Sequence, residues 1–158
     1  MRGLSKYKKK IIEPDLIYGS TTVAKFINKI MLNGKKSIAR KIVYTSLEQA
    51  SAKMKKEPLE VFNEAIMAIA PSVEVRSRRI GGANYQIPME VKEPRRTALA
   101  MRWLIDAAKA RKGAKMADKL AQEYKDAIEG VGTAIKKKTD THKMAEANRA
   151  FAHFAKIR

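Results

Sequence analysis

The sequence predicts a mainly α protein: a bundle of about six helices, with one protruding β-hairpin arm between the third and fourth helices and a flexible basic tail in front. Three observations carry that expectation. Apolar residues recur at helical spacing through most of the 158 residues. Between Val73 and Val91 they instead alternate with polar residues around a glycine pair, the period of a strand. The net charge is +18, from 34 Lys and Arg against 16 Asp and Glu.

Residues 1 to 15 read as the tail, where Lys6, Lys8, Lys9 and Lys10 cluster without periodicity. Such a segment is expected to lie along phosphates and to order on binding. Residues 16 to 158 read as a single domain. Ser20 caps a first helix on which Val23, Phe26, Ile27, Ile30 and Met31 share a side, and Asn33-Gly34 stops it. A second helix from about Ser37 to Met54 turns Ile38, Ile42, Val43, Leu47, Ala50 and Met54 inward. Pro58 suits the first turn of a third, which carries Leu59, Phe62, Ala65, Ile66 and Ile69 and closes at Pro71. Glu93-Pro94 opens a fourth that runs to about Arg111, with Leu99, Trp103, Leu104, Ala107 and Ala108 toward the core. A fifth, about Lys115 to Glu129, has Met116, Leu120, Ala121, Tyr124 and Ala127 on one stripe and stops at Gly130-Val131-Gly132. Lys136, Lys137 and Lys138 then precede a last helix, capped by Thr139 or Asp140, on which Met144, Ala147, Asn148, Phe151 and Phe154 align.

The hairpin register can be argued from its faces, because a slip of one residue reverses every side chain. A two-residue loop at Gly81-Gly82 mixes apolar and polar positions on both faces. A three-residue loop, Gly81-Gly82-Ala83, pairs Ile80 with Asn84, Arg79 with Tyr85, Ser77 with Ile87, Val75 with Met89 and Val73 with Val91, which keeps one face mostly apolar. The second register is the expected one. Strands of this length reach roughly 25 Å, and the outer half carries Arg76, Arg78, Arg79 and Tyr85 around the glycine tip. The alternative is a hairpin lying flat on the helices with its arginines solvated.

The charge points to a polyanion, and nucleic acid fits better than an anionic membrane because the basic residues do not mark one amphipathic helix. No apolar run is long enough to span a bilayer, and the start of the chain lacks the apolar stretch of a secretory signal, so a soluble protein is expected. The absence of cysteine excludes disulfides and thiol chemistry.

Catalytic motifs fail on inspection. Gly34-Lys35 lacks the other positions of a Walker loop, and Gly130-Val131-Gly132 has Ile135 where a dinucleotide fingerprint needs glycine. His142 and His153 are eleven residues apart, too far along one helix to share a metal ion, and Glu60 with Glu64 reads as a solvated face. Neither an enzyme nor a cofactor is expected. A helix-turn-helix DNA reader is disfavoured because the helix after Asn33-Gly34 carries lysines and no obvious base-reading set. An RNA-modifying enzyme lacks a nucleophile and base.

Several stretches together resemble the bacterial form of the small-subunit ribosomal protein seven family. They are Ser20-Thr21-Thr22, Phe26-Ile27, Gly34-Lys35-Lys36, Ile42-Val43 and Ser46; Arg76 through Val91 almost word for word; Arg102-Trp103-Leu104; and Lys136 through His153. The resemblance runs from about residue 14 to 154. It implies a cytoplasmic ribosomal protein that binds the 3′ major domain of small-subunit rRNA and organises the head. Its arm would lie near exit-site tRNA and mRNA, and small-subunit proteins nine and eleven would be neighbours. The rRNA-facing set it implies is Lys35, Lys36, Arg76, Arg78, Arg79, Arg95, Arg96, Arg102, Lys136, Lys137 and Lys138, to which the tail adds Lys8, Lys9 and Lys10. The arm tip nearest tRNA and mRNA would be Arg78, Arg79, Gly81, Gly82 and Tyr85. Tyr85 has two expected uses, stacking on a base or contacting Arg79 across the strands.

Overall fold

The computed structural model describes residues 12–156. Among them the order is α1 (Thr21–Ile30), α2 (Lys36–Met54), α3 (Pro58–Ile69), β1 (Val73–Ile80), β2 (Ala83–Glu90), α4 (Glu93–Ala110), α5 (Met116–Ile128), α6 (Thr133–Ala147) and a 3-10 helix (Arg149–Lys156). The mainly helical class and the position of the hairpin between α3 and α4 agree with the sequence reading.

Local signals account for most boundaries. The Ser20 hydroxyl accepts the Val23 N–H at 3.4 Å and starts α1. Asn33 and Gly34 turn the chain in left-handed conformations, with φ of 51° and 73°. Prolines occupy the first turns of α3 and α4, where a missing N–H leaves no gap in the helical hydrogen bonds. Ahead of α1, buried Asp15 accepts the Tyr44 hydroxyl of α2 at 2.7 Å and the N–H groups of Ile17 and Tyr18, which fixes the entering chain on the bundle.

Helix α5 packs on α2, α3 and α4. At the centre Phe26, Phe62 and Tyr124 meet with ring centroids 5.2, 6.5 and 6.2 Å apart, in the tilted and edge-on arrangements that aromatic quadrupoles favour. The core draws on all six α-helices and includes no hairpin residue. Where α4 gives way to α5, Arg111 binds the fully buried Glu123 and also Asp126, tying the two helices together.

Several expectations need correction. The hairpin turns on two residues, Gly81-Gly82, and pairs Ile80 with Ala83, Arg78 with Tyr85, Arg76 with Ile87, Glu74 with Met89 and Val73 with Glu90. Both glycines have positive φ, 57° and 90°, as a two-residue turn matching the strand twist requires. The mixed face that argued against this register is satisfied by specific partners. Glu74 is held by arginines, Ile87 is fully buried, and Tyr85 meets two phenylalanine rings. The ribbon lies outside the core, yet β1 rests on α6 and β2 on the 3-10 helix.

Helix α6 begins at Thr133, not after the expected cap at Thr139 or Asp140, so Lys136, Lys137 and Lys138 lie inside it; Gly130 and Gly132, both at positive φ, make the whole turn from α5. It ends at Ala147, and Phe151 and Phe154 belong to the 3-10 helix, while Met144 is 51% exposed. On α2 the buried stripe is Ala39, Val43, Ser46, Leu47 and Ala50, leaving Ile38 exposed. Trp103 packs against the core only in part.

Phe62→Ala should destabilise the protein by about 3–5 kcal/mol in chemical denaturation, because it opens a cavity among three rings. Gly82→Val should cost about 1–2 kcal/mol, detected as lost amide protection in β1 and β2 with unchanged helical dichroism; Gly81→Asn should be tolerated, since asparagine enters the left-handed region.

Candidate nucleic-acid interface

The cations fall into groups that differ in how firmly they are held. At the hairpin root Glu74 receives Arg76 at 2.6 Å and Arg95 of α4 at 2.7 Å. Burial by itself raises the Glu74 carboxyl, but hydrogen bonds from Arg95 and Arg76, together with their charges, outweigh it and hold the group below the usual glutamate range. Both guanidiniums keep about half of their side chains open to solvent, 49% and 51%, so they are oriented without being used up. Arg96 is fixed beside them by the Pro71 carbonyl at 3.1 Å and by Glu93 at 3.0 Å.

A second group lies along α4 and α1. Arg95, Arg102 and Lys109 are spaced by seven, which turns each about 20° from the one before and keeps the three on one side of the helix. Lys29, Arg102 and Lys109 line one hollow together with Asp106, and Lys25 and Lys29 line the next beside Asn28 and Thr97. Lys25, Lys29 and Lys109 were missed in the sequence reading, although the four-residue spacing on α1 and the seven-residue spacing on α4 were available signals.

On α6, successive lysines point about 100° apart. Lys136 and Lys137 are exposed, whereas Lys138 donates to the Ala68 carbonyl at 2.7 Å and thereby holds α6 against the end of α3. His142, one turn on, accepts the Ser72 N–H at 3.2 Å. Burial and the charge of Lys138 depress its pKa, which keeps the imidazole neutral and able to accept. Lys35 and Lys36 are exposed at the start of α2, where no acidic side chain offsets the helix dipole.

On the arm, Arg79 faces outward and is exposed, while Arg78 donates to the Phe154 carbonyl at 3.4 Å. Tyr85 packs on Phe151 and Phe154 and stands opposite Arg78, not Arg79. Lys8, Lys9 and Lys10 lie outside the described residues. Among the described residues no three His, Asp or Glu side chains converge as metal ligands, and Glu64 is engaged by Lys56 at 2.7 Å.

The family of ribosomal protein S7p/S5e matches residues 2–149 of this sequence. The chain belongs to that family. It is similar to the small ribosomal subunit protein uS7 of Thermotoga neapolitana, 58% identical over 147 residues, covering 93% of this chain and 95% of the relative. It is 57% identical over 146 residues to the uS7 protein of Pelagibacter ubique, covering 92% and 94%, and 54% identical over 147 residues to that of Paracoccus denitrificans, covering 93% and 94%. As a member of the S7p/S5e family the protein is a structural, non-enzymatic component of the small ribosomal subunit, part of a ribonucleoprotein engaged in translation. No helix among the described residues is long and apolar enough to cross a membrane.

Glu74→Gln should lower stability by about 1 kcal/mol, a value kept small by the solvent exposure of both arginines. In the wild type, the stability contributed by this carboxylate is fully present above the unfolded-state pKa of about 4.3 and fades as pH falls through the lower folded value. Thermal melting from pH 6 to pH 2.5 should therefore show the variant and wild type converging at the acid end.

Proposed function

We propose that the protein is a primary binder of the 3′ major domain of small-subunit rRNA and organises assembly of the head, with its arm near exit-site tRNA and mRNA. The observation that carries this reading is the run of oriented cations from the hairpin root along α4. There Arg76 and Arg95 share one carboxylate, Arg96 is braced on a backbone carbonyl, and Arg102 and Lys109 continue the line beside Lys29 of α1. Guanidiniums fixed in this way present forks to phosphate oxygens with little left to order on binding, while lysines act as mobile point charges.

In this reading Lys35, Lys36, Lys136 and Lys137 contact phosphates at other places where RNA helices converge, and Lys8, Lys9 and Lys10 extend the contact along the tail. Arg78, Arg79, Gly81, Gly82 and Tyr85 form the end of the arm nearest tRNA and mRNA. Small-subunit proteins nine and eleven are the expected protein neighbours, and the site of action is the cytoplasm, within the ribosome. Lys138 contributes mainly through its hold on α3.

The deciding experiment is titration of a 3′ major domain rRNA fragment with the protein in the presence of excess tRNA. Saturable one-to-one binding that survives the competitor is expected; complete loss to tRNA would overturn the proposal. Lys136→Ala should reduce the slope of log affinity against log salt by about 0.9 with no change in melting, whereas Lys138→Met should also lower the melting temperature. Replacing residues 77–86 by Gly-Gly preserves the parity of the ladder at the Arg76–Ile87 pair. That variant should lose less of its rRNA affinity than of its function in tRNA and mRNA handling by assembled subunits.

A further inference from the structure

Two large aliphatic side chains stand exposed at the corner between α1 and α2, Leu32 at 66% and Ile38 at 54%. Scattered singly they would need no explanation, but these two belong to one feature. With Ile30, Ala39 and Ile42 they line a hollow of about 260 Å³, and Lys35 lines it too. Pockets for small ligands hold roughly 300–1,000 Å³, so this hollow is sized for one or two aliphatic side chains of another polypeptide. The backbone beside it is already fixed. The N–H groups of Lys35 and Lys36 donate to the Leu32 and Gly34 carbonyls at 3.0 and 2.8 Å, so the hollow is formed before anything fills it.

The charge around the hollow has one sign. Residues 16–47 contain six cations and no carboxylate, and Lys35 and Lys36 are both exposed. Helix α2 starts here without an acidic residue in its first turn or a side-chain cap, so its leading N–H groups also favour an anion. Phosphates of rRNA would meet these cations and offer nothing to Leu32 and Ile38. A second copy of this chain, at +18, carries the wrong sign, as does the leading segment with Arg2, Lys6, Lys8, Lys9 and Lys10. An acidic amphipathic helix answers both features, with apolar residues for the hollow and carboxylates for its surround.

We infer that the hollow between α1 and α2 docks an acidic amphipathic helix of a partner protein, its apolar residues against Leu32 and Ile38 and its carboxylates on Lys35 and Lys36. The RNA-binding reading above gives the same two lysines to rRNA, so partner and rRNA exclude one another. The partner shields the free chain and leaves when rRNA arrives. This exclusion rests on that reading; the docking itself does not.

The test uses the full chain and a fluorescent synthetic peptide with leucines at helical spacing and glutamates elsewhere, beside a scrambled peptide of the same composition. The ordered peptide should bind saturably and about tenfold more tightly than the scrambled one. Leu32→Gln and Ile38→Gln should each weaken it about five- to tenfold, with melting temperature and affinity for the folded 3′ major domain fragment unchanged. Met67→Gln, which removes a side chain 68% exposed on α3, should have no effect on it. The rRNA fragment should displace the ordered peptide. Equal affinity for the two peptides, or unchanged affinity in both hollow variants, would overturn the docking site. An equal loss on the rRNA fragment would give the hollow to RNA, and self-association that Ile38→Gln abolishes would give it to a second copy; either overturns the inference. Peptide and fragment bound together would overturn the exclusion. Failure of wild type on the fragment with peptide binding intact would overturn the proposed rRNA function and leave the docking site standing.

Discussion

A single carboxylate holds two guanidiniums at the point where the hairpin leaves the helical body. Glu74 is on β1, Arg76 is two residues further along the same face, and Arg95 comes from the first turns of α4. Breaking this junction would free the ribbon from α4 and leave a nearly buried carboxylate without counter-charge. It also sets the start of the cationic row along α4, since the guanidinium of Arg95 is anchored on β1 while about half of the side chain stays open to solvent. The orientation of the ribbon and the geometry of the basic surface therefore depend on the same contact.

The few acidic residues are placed with economy in a molecule carrying a net charge of +18. Glu123 and Asp126 restrain Arg111 at the α4–α5 connection, Glu64 restrains Lys56, Glu93 restrains Arg96, and Glu74 serves two arginines. Each limits local repulsion and converts a flexible side chain into one with a set direction. Backbone carbonyls perform the same service for Lys138 and Arg96 at the junction of α3 with β1, where His142 adds a neutral acceptor. The arm root is consequently gripped from α4 and α6 together, while Tyr85 in its outer half bears on the C-terminal 3-10 helix.

The sequence disclosed helices where caps and breakers are local. Ser20, Asn33-Gly34, Pro58 and Glu93-Pro94 act on their immediate neighbours, and the corresponding boundaries fall within a residue or two of those expected. It misled where partners are distant. The preference for an apolar hairpin face favoured a three-residue loop, because nothing near Glu74 or Tyr85 in sequence announces Arg95, twenty-one residues away, or Phe154, sixty-nine away. Thr139 and Asp140 look like caps and put the lysine run at 136–138 ahead of the last helix, although α6 starts directly after Gly132. Candidate RNA-binding residues were legible as a class from charge alone. Which of them are braced and which are free was not, since Lys138 and Ala68 meet only after the chain has folded back across seventy residues.

A ribbon of only two strands exposes two unpaired backbone edges, the usual starting point for strand-to-strand aggregation. This one interrupts the hazard on both sides. Pro88 removes a donor from β2, and β1 presents three arginines within four residues, so two copies approaching edge to edge would meet a missing hydrogen bond and concentrated like charge. The side chains suited to a polyanion thus also keep newly made chains apart from one another before any RNA is bound.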